Sequence, residues 1–428
     1  MPKVVTDLQY THRKWIMWAI CVLFVFYKYV IEVYPSVITK KLMLDLKIDA
    51  AWFGSLAASY YYSYTLFQIP AGLLIDRFGI RKMTTAAIIL CSLGTYFFSL
   101  SQGIVTASTS RFLMGLGGTF AVLTTLKLTA NWFPSSLFAL LTGLMLTLGT
   151  LGAVFGQAPL GLYMHAVGWR EGLFDVALFG LVLACIFFFT VRDRPQTMGQ
   201  ISNERAEKKI PLGHALLNAL KHKQTWVLSI YSGLSFAPIM AFGGLWGVSF
   251  LEKKYSHTTA TAGFLSSLIF IGFALGAPLW GWLSTRLGKR KPIMFWGSLF
   301  SFFILISVVY APIHSVGLLG TSLFLFGFFL SAFLLSFTMI HESNIPMLTA
   351  SAIGIMNTLN GLFGAITDPL IGFILDLGLG RKGFNIDVFT SKDFEIALSF
   401  LPAYLIICLG LLFFIKETYC KQREERKT

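Results

Sequence analysis

Apolar runs of about 20 residues recur along the chain from Trp15 to Ile415, separated mostly by short polar turns. A helix of that length crosses roughly 30 Å of hydrocarbon. The pattern predicts an all-α integral membrane protein with twelve transmembrane helices, at residues 15–38, 52–75, 83–101, 108–130, 137–164, 170–191, 224–250, 260–284, 292–311, 315–340, 350–376 and 394–415.

The composition agrees with this fold class. The mean hydropathy is +0.70 and 13% of the residues are charged, against roughly 25% in an average soluble protein. The five cysteines have neither metal-ligand nor redox spacing, so we interpret them as small buried apolar side chains. These features argue against soluble enzymes, disulfide scaffolds, coiled coils and disordered chains.

The net charge of +14 is unevenly distributed over the predicted loops. If the N-terminus is cytoplasmic, that side carries roughly twice as many Lys and Arg residues as the other, as the positive-inside rule requires. We therefore expect both termini in the cytoplasm, and no nucleic acid is needed to explain the basic balance. Short loops and the lack of Asn-x-Ser/Thr acceptors favour a bacterial inner membrane.

The chain is organised as a twofold repeat. Residues 192–223 form the only long polar connection and are predicted to be a cytoplasmic linker between two six-helix bundles, residues 1–191 and residues 224–428. The stretch 72–82 (GLLIDRFGIRK) follows predicted span two, and 281–291 (GWLSTRLGKRK) follows predicted span eight. Six of their eleven positions are identical, which indicates duplication and two pseudo-symmetric halves.

The motif Gly-x-Leu-x-Asp-Arg-x-Gly-x-Arg-Lys at residues 72–82 resembles the signature loop of the major facilitator superfamily. The stretch Arg111-Phe-Leu-Met-Gly-Leu-Gly and the glycines of span five with Pro159 agree with that resemblance. More narrowly, residues 64–72 resemble the corresponding sequence of the anion–cation symporter branch. The stretch Tyr60-Tyr-Tyr62 is similar to sequences of intraphagosomal amino-acid transporters.

The resemblance implies two bundles that rock about a site at the membrane midplane. It also implies that the repeated loops act as conformational latches, with Asp76 facing the start of span eleven. Thr285 replaces the aspartate in the second copy, so a latch there should be weaker; alternatively, all these charges only enforce topology. The candidate gating residues are Asp76, Arg77, Gly79, Arg81, Lys82, Arg111, Arg286, Gly288 and Arg290. For Arg111, burial and contact with lipid phosphates are both open.

Ionisable groups at membrane depth are the strongest functional candidates, because leaving them unpaired there costs several kcal/mol. Lys28 and Glu32 share one face of span one. They either neutralise each other, or Lys28 binds a substrate carboxylate while Glu32 balances it or takes a proton. Lys127 on span four either extends to the inner surface or contacts an anion or Glu32.

A second group of candidates lies on span eleven. Asp368 shares a face with Asn357, and Asn360 lies beside them. A polar stripe of this kind is expected to face the bundle interior, where Asp368 could couple protons. Because Pro369 follows directly, Asp368 could instead mark the outer end of the helix.

Uncharged candidates lie on spans two and seven. Tyr60, Tyr64 and Gln68 recur at four-residue intervals and either face a polar lumen or belong to the interfacial aromatic belt. Trp246 follows Pro238 and paired glycines, in a helix suited to a gate or simply facing lipid.

The residues predict a secondary active transporter, with proton-coupled uptake of a small carboxylate-bearing solute. An amino acid is the first choice, because an intramembrane acid and base can hold a zwitterion, and a sugar acid or other organic anion is second. An organophosphate exchanger, a drug-type efflux antiporter and a membrane sensor are the alternatives. No enzymatic activity, cofactor or metal is expected, and the chain is predicted to act as a monomer in the bilayer.

Overall fold

The computed structural model describes residues 7–193, 220–344, 346–379 and 384–421. Most of the predicted linker 192–223 lies outside these residues. Within them the chain is helical, with short turns between the helices.

In the first half, α1 (Asp7–Val33) continues into a 3-10 turn (Tyr34–Val37), and a short α2 (Thr39–Leu46) follows. The remaining helices of this half are α3 (Ala50–Leu66), α4 (Gln68–Phe78), α5 (Ile80–Ser99), α6 (Ile104–Gly118), α7 (Phe120–Trp132), α8 (Ser135–Val167) and α9 (Trp169–Thr190).

In the second half, α10 (Lys223–Pro238) passes through a π-helical segment (Ile239–Trp246) into α11 (Gly247–Tyr255). The helices that follow are α12 (Thr259–Leu287), α13 (Lys291–Tyr310), α14 (Val316–Leu330), α15 (Leu335–Ser343), α16 (Pro346–Leu379), α17 (Ser391–Ala397) and α18 (Phe400–Phe414), with 3-10 turns at Ser331–Leu334 and Ile386–Val388.

Ten helical stretches among the described residues are long and apolar enough to cross a membrane. They coincide with ten of the twelve predicted spans. Predicted spans two and three fall on α3–α4 and on α5. The tyrosines, serines and charged ends of these helices lower their hydropathy, so the total of twelve stays a prediction.

Among the described residues, helices of the same half pack mainly on one another, and two helix pairs make the most extensive contacts between the halves. In these pairs α3 packs along α16 and α8 packs along α12. The first pair is close because Gly54 faces the backbone of α16: a Cβ atom there would lie 2.8 Å from the Cα of Pro369. Small residues allow such backbone approach between membrane helices.

The repeated loops turn at equivalent glycines. Gly79 has φ +88° and Gly288 has φ +64°, a backbone region that favours glycine. After the first turn the amide of Arg81 donates to Asp193 at 2.9 Å. After the second, Glu417 accepts from the amide of Arg290 at 3.0 Å. Each turn is therefore tied to an acidic residue that follows the last helix of its own half.

The ion pairs of the two loops differ. Asp76 pairs with Lys127; the Asp76 side chain is exposed and the Lys127 side chain is half-buried. Arg290 pairs with Glu342 of α15 at 2.8 Å, with both side chains buried. The expectation of a weaker second latch considered only Thr285. In the structure the carboxylate comes from another helix, at Glu342, which lies 57 positions after Thr285.

Candidate functional site

The first part of the site is an ion pair in the interior of α1. Lys28 and Glu32 lie one turn apart, both are 5% exposed, and they pair with each other. The Lys28 ammonium lies 4.0 Å from the ring centroid of Tyr29 and 5.1 Å from that of Tyr64. Aromatic faces attract a cation, so this arrangement partly replaces the water that Lys28 has lost.

Arg111 joins this pair from α6. It is 1% exposed, so the structure places it in the interior and not among lipid phosphates. It donates to the backbone oxygen of Ile31 at 2.6 Å and to that of Glu32 at 3.2 Å. In an unbroken helix the Ile31 oxygen would accept from residue 35, but Pro35 has no N–H to give. Arg111 thus satisfies a carbonyl that Pro35 leaves unpaired, and that proline is the signal in the sequence that could have indicated the contact.

Asp368 approaches from the other half of the molecule. It lies well inside α16 and is 2% exposed, so it does not mark the end of the helix. It is within electrostatic range of Arg111 and Glu32, and its Oδ1 has no hydrogen-bond partner in the described part of the chain. Tyr61 of α3 interacts with Glu32 and is in range of Asp368. Tyr61 was not among the predicted site residues, yet it interacts with both candidate proton sites.

The predicted stripe on span two lies against this cluster. Tyr60 is fully buried and stacks on Tyr64 with ring centroids 6.1 Å apart. The Tyr60 hydroxyl is buried without a partner among the described residues. Gln68, also buried, begins α4 just after the helix is interrupted at Phe67. The stripe therefore points inward at Tyr60 and Gln68, with Tyr64 half-buried between them.

The second half contributes mainly uncharged groups. Trp246, at the end of the π-helical segment, is fully buried and packs edge-on against Phe53 of α3 at 5.3 Å. It therefore faces the junction of the halves and not the lipid. Asn360 is buried and its Oδ1 is unpartnered in the described structure, whereas Asn357 is half-buried.

Lys127 does not join the central cluster. The partnership with Glu32 that the sequence left open is absent, because Lys127 pairs with Asp76 and Glu32 pairs with Lys28. Asp76 correspondingly has a lysine of its own half as its ion-pair partner. The exposed candidates Arg77, Lys82 and Arg286 lie at the same end of the molecule, which we call the loop face.

The opposite end, which we call the gate face, is closed by contacts between the halves. Asp376 of α16 accepts from the first amides of α3, at 3.3 Å from Ala50 and 2.8 Å from Ala51. These amides have no partner within their own helix, so the carboxylate caps it. Asp387 pairs with Lys40 of α2 and, at 3.1 Å, with Lys253. None of these residues was among the predicted site residues.

Lys40 and Lys253 donate hydrogen bonds to the Asp387 carboxylate, and these contacts lower the pKa of that carboxyl. The contact from Lys40 is the largest cause and outweighs a smaller opposing effect of burial. The gate-face ion pair therefore persists to a lower pH than a free aspartate would allow.

These features define a membrane protein with a buried, charged centre between two halves that are closed against each other at one end. The sequence profile described as the Major Facilitator Superfamily matches residues 16–377. The chain therefore belongs to the Major Facilitator Superfamily, a family of membrane transporters, and the resemblance of residues 72–82 is confirmed.

Individual relatives are similar over most of the chain. An uncharacterized transporter of Bacillus subtilis, YybO, is 25% identical and covers 94% of both chains. A probable hexose phosphate transport protein of Chlamydia muridarum is 25% identical over 68% of this chain and 69% of its own. A hexuronate transporter of Bacillus subtilis is 24% identical over 78% of this chain and 81% of its own.

A solved structure shares the fold. The crystal structure of a bacterial homolog of the human lysosomal transporter Spinster, in an inward-facing and unoccupied conformation, superposes with a TM-score of 0.78. The two chains are 16% identical, and the match covers 97% of this chain and 99% of the other.

Proposed function

We propose that this protein is a proton-coupled secondary transporter for a small hydroxylated carboxylate, such as a sugar acid. The observation that carries the proposal is the buried Lys28–Glu32 pair, whose ammonium is framed by Tyr29 and Tyr64. The similarity to a hexuronate transporter supports this substrate class.

The pair suggests how coupling works. A substrate carboxylate and Glu32 compete for the same ammonium, because Lys28 has no other carboxylate partner among the described residues. A proton on Glu32 removes its charge, and Lys28 is then free to bind the substrate. Proton and substrate therefore enter together, without leaving an unpaired charge in the membrane.

Asp368 is the second proton site in this proposal. It lies within electrostatic range of Arg111 and Glu32 of the other half, so its charge changes how strongly the halves attract each other. Tyr60, Tyr64, Gln68, Trp246, Asn357 and Asn360 orient the hydroxyl groups of the substrate.

The proposal places twelve spans in two bundles, residues 1–191 and 224–428, joined by the linker 192–223. The positive-inside rule places the loop face and both termini in the cytoplasm and the gate face outside. The protein then rests closed to the outside, as one monomer in a bacterial inner membrane.

An amino acid is the second candidate substrate. The buried acid and base of α1 lie one turn apart and could bind the two charges of a zwitterion. We place it second because the unpartnered Tyr60 hydroxyl and Asn360 oxygen suit a ligand with several hydroxyl groups.

The test uses proteoliposomes that contain the purified protein and a pH dye in the lumen. We expect D-glucuronate to acidify the lumen and to accumulate when the outside is acidic, whereas D-glucose should do neither. Acidification by amino acids alone would move the assignment to the second candidate. Exchange of phosphorylated sugars without proton movement would contradict proton symport and favour an organophosphate exchanger.

A further inference from the structure

A groove at the gate face lies outside the central site. Its volume is about 380 Å³. Small-molecule sites usually measure about 300–1,000 Å³, so a six-carbon ligand fits. The groove lies between the 3-10 turn after α1 together with α2, the C-terminal part of α8, α11, and the start of α12.

The lining of the groove is rich in acceptors. Gln157 is fully buried; its Nε2 donates to the oxygen of Gly243 at 2.5 Å, whereas its Oε1 has no partner in the described structure. The hydroxyl of Thr39 donates to the oxygen of Pro35 at 3.1 Å, which leaves the lone pairs of Thr39 available. Glu252 adds a half-buried carboxylate. A ligand that fits this lining must bring hydrogen-bond donors.

The groove also offers cationic groups. Lys40 is already paired with Asp387, whereas half-buried Lys41 has no hydrogen-bond or ion-pair partner within the residues that the structure describes. Exposed His165 lies at the same groove. Lys41 is therefore the group that can bind a carboxylate while the acceptors bind hydroxyl groups.

We propose that this groove is a second binding site for a small hydroxylated carboxylate, and that occupancy holds the gate face closed. The ligand class rests on the proposed function, whereas the groove and its unpartnered Gln157 oxygen do not.

A ligand in the groove affects the gate because the two walls of the groove belong to different halves of the protein. Lys41, Thr39 and Gln157 belong to the first half, whereas Glu252 and Thr259 belong to the second. The complete groove exists only while the halves are together at this end. By linkage, a ligand that needs both walls stabilises the closed arrangement and slows its opening.

The test measures binding of radiolabelled D-glucuronate to the full chain in lipid nanodiscs by equilibrium dialysis. We expect two molecules bound per chain. Lys41→Gln should abolish one site and Lys28→Ala the other, whereas Lys392→Gln, at an exposed gate-face lysine outside the groove, should leave both. Labelled D-glucose, which has hydroxyl groups but no carboxylate, should bind to neither.

The two failures are distinguishable. Binding that Lys41→Gln leaves unchanged overturns the groove site, whatever Lys28→Ala does. Binding that Lys28→Ala leaves unchanged overturns the central site without touching the groove.

Transport kinetics give a second readout. Because groove occupancy slows opening, uptake by the wild-type protein should rise and then fall as D-glucuronate increases, whereas Lys41→Gln should saturate without falling. A falling limb that persists in Lys41→Gln contradicts the link between the groove and the gate.

Discussion

The two halves of this transporter contribute differently to its centre. The first half supplies Lys28, Glu32 and Arg111, which are held in place by contacts within that half. The second supplies Asp368, whose Oδ1 has no partner in the described structure, together with Trp246 and Asn360. We infer that the first half binds the charged group of the substrate. The second half responds to protonation and contacts the uncharged groups of the substrate.

The largest expected effect comes from removing the cation of the first half. Lys28→Ala removes the ammonium that binds the substrate carboxylate, a loss that typically costs about 2–5 kcal/mol of binding, so D-glucuronate uptake should fall by roughly 100-fold or more. It also leaves Glu32 buried without its partner. Uptake by each variant in proteoliposomes measures this effect. The double variant Lys28→Met/Glu32→Gln removes both charges and should fold well, as its thermal unfolding will show, yet it should not bind the carboxylate. Full uptake by that double variant would contradict the role of the first half.

The next effect separates coupling from binding. Asp368→Asn removes the titratable group of the second half while Lys28 and Glu32 stay in place. We expect the variant to lose proton-driven accumulation but to exchange internal for external substrate at a rate within roughly threefold of the wild type. Accumulation and counterflow are measured on the same proteoliposomes. A variant that still accumulates D-glucuronate uphill would show that coupling does not need Asp368 and rests on Glu32 alone.

A smaller effect is expected for the neutral groups of the second half. Asn360→Ala removes one hydrogen-bonding amide, worth about 1 kcal/mol, and should raise the KM for D-glucuronate by about fivefold. The KM for a carboxylate without hydroxyl groups should hardly change. An equal rise in KM for both ligands would indicate that Asn360 supports helix packing and does not contact the substrate.

The smallest effect is expected at the gate face. Asp387→Asn weakens an ion pair between partly exposed side chains, so opening should change by no more than about threefold at neutral pH. The ion pair lowers the pKa of Asp387. The pair therefore helps to keep the gate closed at any pH above the ordinary pKa of aspartate, and this contribution is lost as the pH falls through the lowered pKa of Asp387.

The rate at which an external thiol reagent labels a cysteine introduced behind the gate measures this opening. The wild type should show a faster rate in strongly acidic buffer, and Asp387→Asn should not. Identical pH profiles for the two proteins would exclude Asp387 as part of the gate.

Much of the fold could be predicted because its signals are local. The length of each apolar run indicates a helix, and ten of the predicted spans coincide with helices apolar enough to cross a membrane. The repeat between residues 72–82 and 281–291 and the family itself could likewise be recognised from the residues alone. Spacing also placed Lys28 beside Glu32, since residues four apart share a helix face.

Other contacts depended on the tertiary structure, because helical periodicity gives the face of a helix but not the helix that packs against it. Lys127 could have reached several carboxylates, and only the packing of α4 beside α7 assigned it to Asp76. Arg111 contacts α1 across 79 and 80 positions of sequence, at a carbonyl that a proline leaves free.

The sequence by itself thus determined the helices, the duplication and the charges that must be buried. The tertiary structure alone decided that Asp368 lies within electrostatic range of Glu32 and Arg111 of the other half, and that Asp376 and Asp387 close one end. The physical reason is that burial forces a charge to find a partner, but which partner it finds depends on how distant helices pack.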